Sequence, residues 1–559
     1  MQMGGNMDAK VSSDRESQTS DAKRGGWITF PFIAGIITGL GLAGGGWSSN
    51  LIVYLIEKFN IKSIDAAQIF NVVNGCMNMF PVIGAIVADS FLGCFSVVFI
   101  SSLLSLLGII FLALTASLDC LRPPPCTEIG TSLCETPSKL QFTILYAGLA
   151  IASVGLGGAR YTVATMGANQ FNKPQDQAIF FNWYFIAAYS SKVISATAIV
   201  YIEDNVSWRL GFGLCIAANL AALVILLAGT RLYRRDKPQG SAFIGLVRVV
   251  IAAARKRKAM LSSRIEDYLQ QERNDEMIKI EAVTPKQNFR FLNRAALKIE
   301  GDIRPDGSIA KPWKLCTIQQ VEDLKALIRI LPIWSTIIFL ATPIAILNNL
   351  VILQALTMDR HLGHSFKIPA GSFPVISLIS GFIFVSLKDR LLRPMWQKII
   401  HRSPTTLQLV GIGYVLSLIS MVVSALVESK RLKIANNVHH QQPMSALWLF
   451  PQLILLGIGE AFHLPGQVAF YYQEFPASLK STSTAMIGLM IGICYYLSTA
   501  LIDLVRRVTD WLPDNINSGR LDNVYWTLAV LAGINFGYYL LCSIVYKYKD
   551  GGGSGSDDN

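Results

Sequence analysis

Charge is what this sequence has least of. Only 15% of its 559 residues are Asp, Glu, Lys or Arg, against about a quarter in an ordinary soluble domain. That is too little to cover the surface of a water-soluble fold of this length. Residues 1–25 lack the apolar core of a cleavable signal peptide, so none is expected. The nine cysteines lack metal-ligand spacing, which argues against a zinc site. No Ser–His–Asp set, phosphate loop or metal constellation is legible, so neither an enzyme nor a cofactor is expected. The formal charge of +12 invites a nucleic-acid partner, but the basic residues sit in the segments between apolar runs, and no nucleic acid is expected.

What the sequence does have is apolar runs. About 20 apolar residues in a helix cross a ~30 Å hydrocarbon core, and such runs recur along the chain. They predict spans at Ile28–Leu55, Ala66–Val87, Ser96–Leu118, Leu140–Met166, Ile179–Ile202 and Trp208–Tyr233, then at Ala326–Leu347, Gly371–Leu387, Leu407–Val427, Leu447–Phe470, Thr482–Leu504 and Val524–Tyr546. The expected fold is an all-α membrane protein of twelve transmembrane helices in two six-helix halves. The expected division is a disordered tail (1–25), a first bundle (26–233), a linker (234–321), a second bundle (322–548) and a flexible tail (549–559), in part a remnant of expression. The tail, the linker and the segment between spans eight and nine are all basic, and an even number of spans puts them on one side. A basic excess marks the cytoplasmic side, so both termini are expected there. Within the linker, Phe243–Leu261 mixes an apolar run with Arg255, Lys256, Arg257 and Lys258. It reads as an amphipathic helix, either on the membrane face or packed on the body. Cys120, Cys126 and Cys134 share a loop on the opposite side, where one disulfide is permitted and one thiol would remain. Neither tail nor linker names a regulatory kinase.

Local motifs narrow this layout. Gly84-Ala-Ile-Val-Ala-Asp89-Ser-Phe-Leu-Gly93 resembles the turn after span two in the major facilitator superfamily, which implies an inner-gate role for Asp89. Gly155-Leu-Gly-Gly-Ala-Arg160, Gly167-Ala-Asn-Gln-Phe171, Phe180-Phe-Asn-Trp-Tyr184, Gln320-Val-Glu-Asp-Leu-Lys325, Leu331-Pro-Ile-Trp334 and Gly459-Glu-Ala-Phe462 resemble the plant nitrate/peptide transporter family, related to proton-dependent oligopeptide transporters. Gly26-Trp-Ile-Thr-Phe-Pro31, Ser195 to Trp208 and Trp511-Leu-Pro-Asp-Asn-Ile516 look like its nitrate excretion subgroup. The resemblance implies an anion carrier of the plant plasma membrane, moving nitrate and also chloride.

Two family features are missing. The Glu-x-x-Glu-Arg/Lys motif of proton-coupled members falls on Ile37, Leu40 and Gly41, none of which titrates. A proton relay inside a membrane needs groups that do. The family's nitrate-binding histidine aligns with Ile344. Four ionisable residues remain deep in the spans: Arg160, Lys192, Glu460 and His463. Two fixed cations favour an anionic substrate, and the planar fork of Arg160 suits an oxyanion. Glu460 matches a family gating carboxylate, and His463, one turn on, makes the two the remaining candidates for coupling. Trp47, Tyr161, Trp183, Tyr184, Asn348, Asn349, Tyr495 and Tyr496 are further pathway candidates by family position. The expectation is efflux of a small inorganic anion by alternating access. A carrier of a larger organic anion, such as a hormone or glucosinolate, and a non-transporting receptor or scaffold are the alternatives.

Overall fold

A computed structural model describes residues 25–126, 135–171, 173–234, 242–262, 264–270, 288–299, 301–304, 310–311, 313–363, 366–387, 395, 398, 401, 405–436, 442–474 and 483–546. Both tails, most of the segment between spans eight and nine, and Cys134 lie outside the described residues.

The described apolar runs are helices because a helix satisfies its backbone groups internally, which hydrocarbon demands. Span one is Phe30–Ser49, carried on by Leu51–Phe59 after a break at Asn50. Spans two to four are Ser63–Val87, Gly93–Ser117 and Lys139–Ala168. Span five is Pro174–Ile194, continued through a π-helical turn, Ser195–Ile199, into Val200–Asn205. Span six is Trp208–Ala228. Spans seven to twelve are Ile318–Leu356, Val375–Leu387, Thr406–Ala435, Phe450–Glu474, Ser483–Val508 and Leu521–Val545. Among the described residues, ten continuous stretches have the length and hydropathy to cross a membrane; one of them, Ser63–Ser117, holds two spans, and the shorter Ala370–Val385 completes the twelve.

Local chemistry fixes several starts. Ser138 with Gln141, Thr317 with Gln320 and Thr405 with Gln408 each form a reciprocal capping box at the head of spans four, seven and nine, satisfying donors that the first helical turn leaves open. Spans two and three meet through a π-helical turn, Ala88–Leu92, closed by Gly93 at φ 75°. A side chain would be strained there.

The two halves repeat one packing scheme. In the first half span three packs on four, one on six, three on six, two on four, and one on five; in the second, nine packs on ten, seven on twelve, nine on twelve, eight on ten, and seven on eleven. The halves meet mainly along spans two and eleven. The outward faces carry exposed apolar side chains such as Leu107, Leu220, Val224, Phe339, Ile534 and Leu541, the surface a lipid environment requires.

Two helices run eight or more residues past their expected C-terminal bounds. Span seven reaches Leu356, and span nine continues past Val427 because Glu428 and Arg431 neutralise each other inside the bundle, Arg431 Nη2 lying 2.7 Å from Glu428 Oε1. The linker helix, Ala242–Arg255, buries Val249 and Ala252 against Leu292, Ala295 and Ala296, in a cluster that also holds Ile318 and Val321 of span seven. Lys256 Nζ donates to Leu297 O and Asp302 Oδ2, both at 2.6 Å. Val247 and Val250 remain exposed.

Candidate functional site

Span four brings Arg160 to the middle of the assembly. Its Nη1 donates to Asn78 Oδ1 of span two at 3.2 Å. Its guanidinium lies 5.7 Å from the centre of the Tyr161 ring. Its carbonyl accepts from the Tyr184 hydroxyl of span five at 3.1 Å. Tyr189 and Tyr495 also lie within electrostatic range. Lys192, a little over two turns beyond Tyr184 on span five, is in electrostatic range of both Arg160 and Glu460. Arg160 and Lys192 are accessible in surface terms, yet their neighbours come from spans two, four, five, ten and eleven. That accessible surface faces a cavity between the halves rather than lipid.

Glu460 is half-buried and its electrostatic partner is Lys192. In this conformation the cation in electrostatic range of Glu460 is Lys192 of span five rather than Arg160. Among the described residues no hydrogen bond or ion pair engages the Lys192 ammonium or the Glu460 carboxylate. His463 is placed apart from Glu460. It is 4% exposed, its Nδ1 shares a 3.3 Å bond with Gln467, and its backbone abuts Gly413 of span nine.

The remaining candidates divide. Tyr184 and Tyr495 belong to the surroundings of Arg160. Trp183 is 50% exposed with its ring edge-on to Phe30, lower in the same half. Asn349 is buried, donating to Asn71 Oδ1 at 2.6 Å, and Asn348 is half-buried beside it with no described partner for its Oδ1. Tyr496 packs on Gly75 and shares a 3.0 Å bond with Cys76. Asn349 and Tyr496 are thus seam residues between the halves. Trp47 is buried in the core. Asp89 sits half-buried in the π-helical turn with no described hydrogen bond or ion pair.

The positions without the family charges are tightly packed. Ile37 and Leu40 belong to an apolar cluster with Ala222 and Leu226 of span six. A Cβ on Gly41 would overlap the Ser191 hydroxyl, so a side chain at the position that lacks the cation requires Ser191 to move. The next residue on span five, Lys192, has its backbone beside Gly45 of span one. Ile344 is buried in the main apolar core.

The end of the bundle remote from the linker is closed. Lys62 pairs with Asp514 at 2.6 Å, Arg506 with Asp65 at 2.6 Å, and Arg360 with Asp204 at 3.4 Å. Ser372 Oγ donates to Ala196 O at 2.8 Å. Among the described residues, these contacts, with Asn349–Asn71 and Tyr496–Cys76, are polar ties between the halves on the side of Arg160 remote from the linker.

A family profile, PTR2, described as the POT family, matches residues 95–517, about three quarters of the chain. The chain belongs to the POT family. Its POT-family relatives in Arabidopsis thaliana include Protein NRT1/ PTR FAMILY 2.3, 53% identical over 97% of each chain, and Protein NRT1/ PTR FAMILY 2.7, 52% identical over 97% of this chain and 98% of that one. Protein NRT1/ PTR FAMILY 2.13 is 37% identical over 96% of this chain and 89% of the other. The family's fold is shared with an auto-inhibited POT family peptide transporter, at TM-score 0.70 and 16% identity over 94% and 99% of the two chains. PepTSo is similar at TM-score 0.63 and 17% identity over 93% and 97%. The chain is therefore a membrane transporter of the plant NRT1/PTR type with the major-facilitator architecture.

Sequence reasoning did not single out Asn78, which orients Arg160, or Glu203, which is fully buried near the closed end. The asparagines of span two, Asn71, Asn74 and Asn78 in an apolar run, were the available signal for the first. Glu203 stands in Tyr201-Ile-Glu-Asp-Asn205, where a run of polar residues reads as a loop.

Proposed function

We propose that this POT-family member carries nitrate, with chloride as a second anion, out of the cell across the plant plasma membrane by alternating access, without the proton relay of span one. The observation that carries the reading is the pair of cations, Arg160 and Lys192, on the wall of a cavity that both halves line, against one neighbouring carboxylate. Asn78 uses one donor of the guanidinium fork, and the remaining donors suit a planar oxyanion. Anion exit from a cell with a negative interior releases about 2.3 kcal/mol per charge per 100 mV, so downhill export needs no titrating group on span one. With both termini on the cytoplasmic side, the end tied by Lys62–Asp514, Arg506–Asp65 and Arg360–Asp204 is the external one, and an exported anion enters from the other.

The decisive measurement is anion flux into proteoliposomes under an imposed voltage with no pH gradient, and the reverse. Nitrate flux that follows voltage supports the reading. Flux that needs a pH gradient and vanishes with voltage alone overturns the uncoupled mechanism.

The aromatic lining favours a second reading. Tyr161, Tyr184, Tyr189 and Tyr495 around Arg160, with Trp183 beyond them, offer more ring surface than nitrate can use, and would suit a larger aromatic organic anion. Competition of nitrate flux by such anions at micromolar concentration would favour that substrate class.

A further inference from the structure

The linker helix, Ala242–Arg255, has two apolar faces. One, with Val249, Ala252 and Ala253, is buried against Leu292, Ala295 and Ala296. Away from it, Val247 and Val250 are each 51% exposed, and Ala254 is exposed as well. Residues three and four apart share a helix face, so these three form one stripe. Met260, just past the helix end, is 91% exposed. The transport scheme uses none of them.

The charge beside this stripe has one sign. Arg255, Arg257 and Lys258 are exposed at the end of the helix. Their neighbours are drawn inward: Lys256 is buried with Asp302 at 2.6 Å, and the Arg248 guanidinium lies 5.4 Å from the centre of the Trp313 ring. Arg255 Nη1 donates to Trp313 O at 3.3 Å. Among the described residues, the Arg257 and Lys258 side chains have no hydrogen bond or ion pair. Every exposed charged side chain described in the linker is Lys or Arg, except Glu266.

Position narrows what can cover this face. The cluster beneath the helix takes in Ile318 and Val321 and is flanked by Leu324 and Ile328, all of span seven. Arg329 is the last charged residue of that span before the uncharged run 330–356. The helix therefore stands beside the part of span seven that precedes the hydrocarbon, at the depth of the headgroups. Trp313, 40% exposed, is a residue type enriched at that depth.

We propose that this face binds anionic phospholipid headgroups of the leaflet on the linker side. Val247, Val250 and Ala254 rest on the acyl boundary, and Arg257 and Lys258 hold the headgroup anions. Helices bind such a surface through buried apolar area together with attraction to anionic lipid. Each basic side chain near an anionic surface adds about fivefold to binding, and the attraction falls off within a Debye length. One helix thus packs on the transporter body and faces the membrane at once. The proposal is independent of the substrate and of the direction of transport.

The test uses the full chain in nanodiscs of phosphatidylcholine alone, or with about a third phosphatidylserine. Amide exchange over residues 242–258 is read by mass spectrometry relative to residues 406–435 in the same sample. In the unmutated chain we expect exchange at least about threefold slower with phosphatidylserine, a difference that high salt removes. Arg257→Gln with Lys258→Gln, which leaves the Lys256–Asp302 pair intact, should lose most of the difference. Equal exchange in the two lipids, or slowing that the double variant keeps in full, overturns the proposal. Glycerophosphoserine added to phosphatidylcholine nanodiscs should change nothing; slowing by it would mean a site for a free phosphate and overturns the membrane reading. Contact is read separately with the photoreactive p-benzoylphenylalanine in place of Val250. Irradiation in the phosphatidylserine nanodiscs should attach phospholipid to that peptide, whereas attachment to protein alone overturns the proposal. Failure of nitrate flux would leave each of these results standing.

Discussion

Arg160 of span four and Asn78 of span two are joined by a single 3.2 Å bond from Nη1 to Oδ1. That bond leaves most of the guanidinium fork directed into the cavity while fixing its plane. Arg160→Ala should lower kcat/KM for anion flux by about 10- to 100-fold, the loss of a charge-assisted, two-bond contact. Arg160→Lys keeps the charge without the fork and should fall between. Asn78→Leu keeps the whole guanidinium but frees its orientation, and should raise KM several-fold at nearly constant kcat. Initial rates in proteoliposomes separate the three; an unchanged rate for Arg160→Ala would remove this residue from the pathway.

Restoring the family cation on span one should fail. A Cβ on Gly41 meets the Ser191 hydroxyl, so Gly41→Arg is expected to abolish the monodisperse peak in detergent size-exclusion. Gly41→Ala is a smaller overlap, costing about 1–3 kcal/mol, and should lower the thermal midpoint measurably. Ser191→Gly in the same chain opens the space and should recover part of that loss. A Gly41→Arg protein that runs and melts like the parent would show that spans one and five separate easily.

The reading of the sequence reached the fold through hydropathy because hydrocarbon leaves a helix few alternatives, and the twelve runs needed no knowledge of their partners. It stopped short where charge is hidden by pairing. Span nine runs past the expected Val427 to Ala435 because Glu428 and Arg431, each costly in lipid alone, satisfy each other. The site was legible only in part for a related reason. The types of Arg160, Lys192 and Glu460 marked them as interior charges, but which carboxylate faces which cation depends on helix rotation. The structure sets Glu460 toward Lys192 and leaves His463 with Gln467, although three residues separate the two along the helix. Asn349 and Tyr496, placed in the pathway by family position, turned out to be seam contacts across the halves.

The buried pair in span nine makes a stability prediction. Glu428 accepts from Arg431 Nε at 2.7 Å and from Gln354 Nε2 of span seven at 2.6 Å, while Tyr525 of span twelve donates to Gln354 at 2.8 Å. Arg431→Met leaves an uncompensated buried carboxylate and should cost about 3–5 kcal/mol. Adding Glu428→Gln removes that stranded charge and should recover much of the loss. Thermal unfolding of the three proteins in one detergent checks the order. Equal midpoints for the single and double variants would mean that water reaches Glu428.

Two cysteines report on topology in opposite ways. Cys120 is an exposed free thiol at the end remote from the linker, in the loop where Cys126 is disulfide-bonded. Cys316 is buried at the base of span seven among linker residues, and that burial pushes its thiol up to about 11, against a weaker opposing pull from Arg248 and Lys256. The thiolate is the reactive form, so at about pH 7.5 fewer than one Cys316 in roughly a thousand is ready to react. An impermeant maleimide added outside sealed right-side-out vesicles should therefore modify Cys120 within minutes. The same reagent admitted to the interior should leave Cys316 unmodified until denaturant opens the linker. Sign matters here: raising the pH toward 11 should speed Cys316 labelling in the denatured chain less than in the folded one, because unfolding has already restored an ordinary thiol. Labelling of Cys120 only from the interior would invert the topology and place both termini outside.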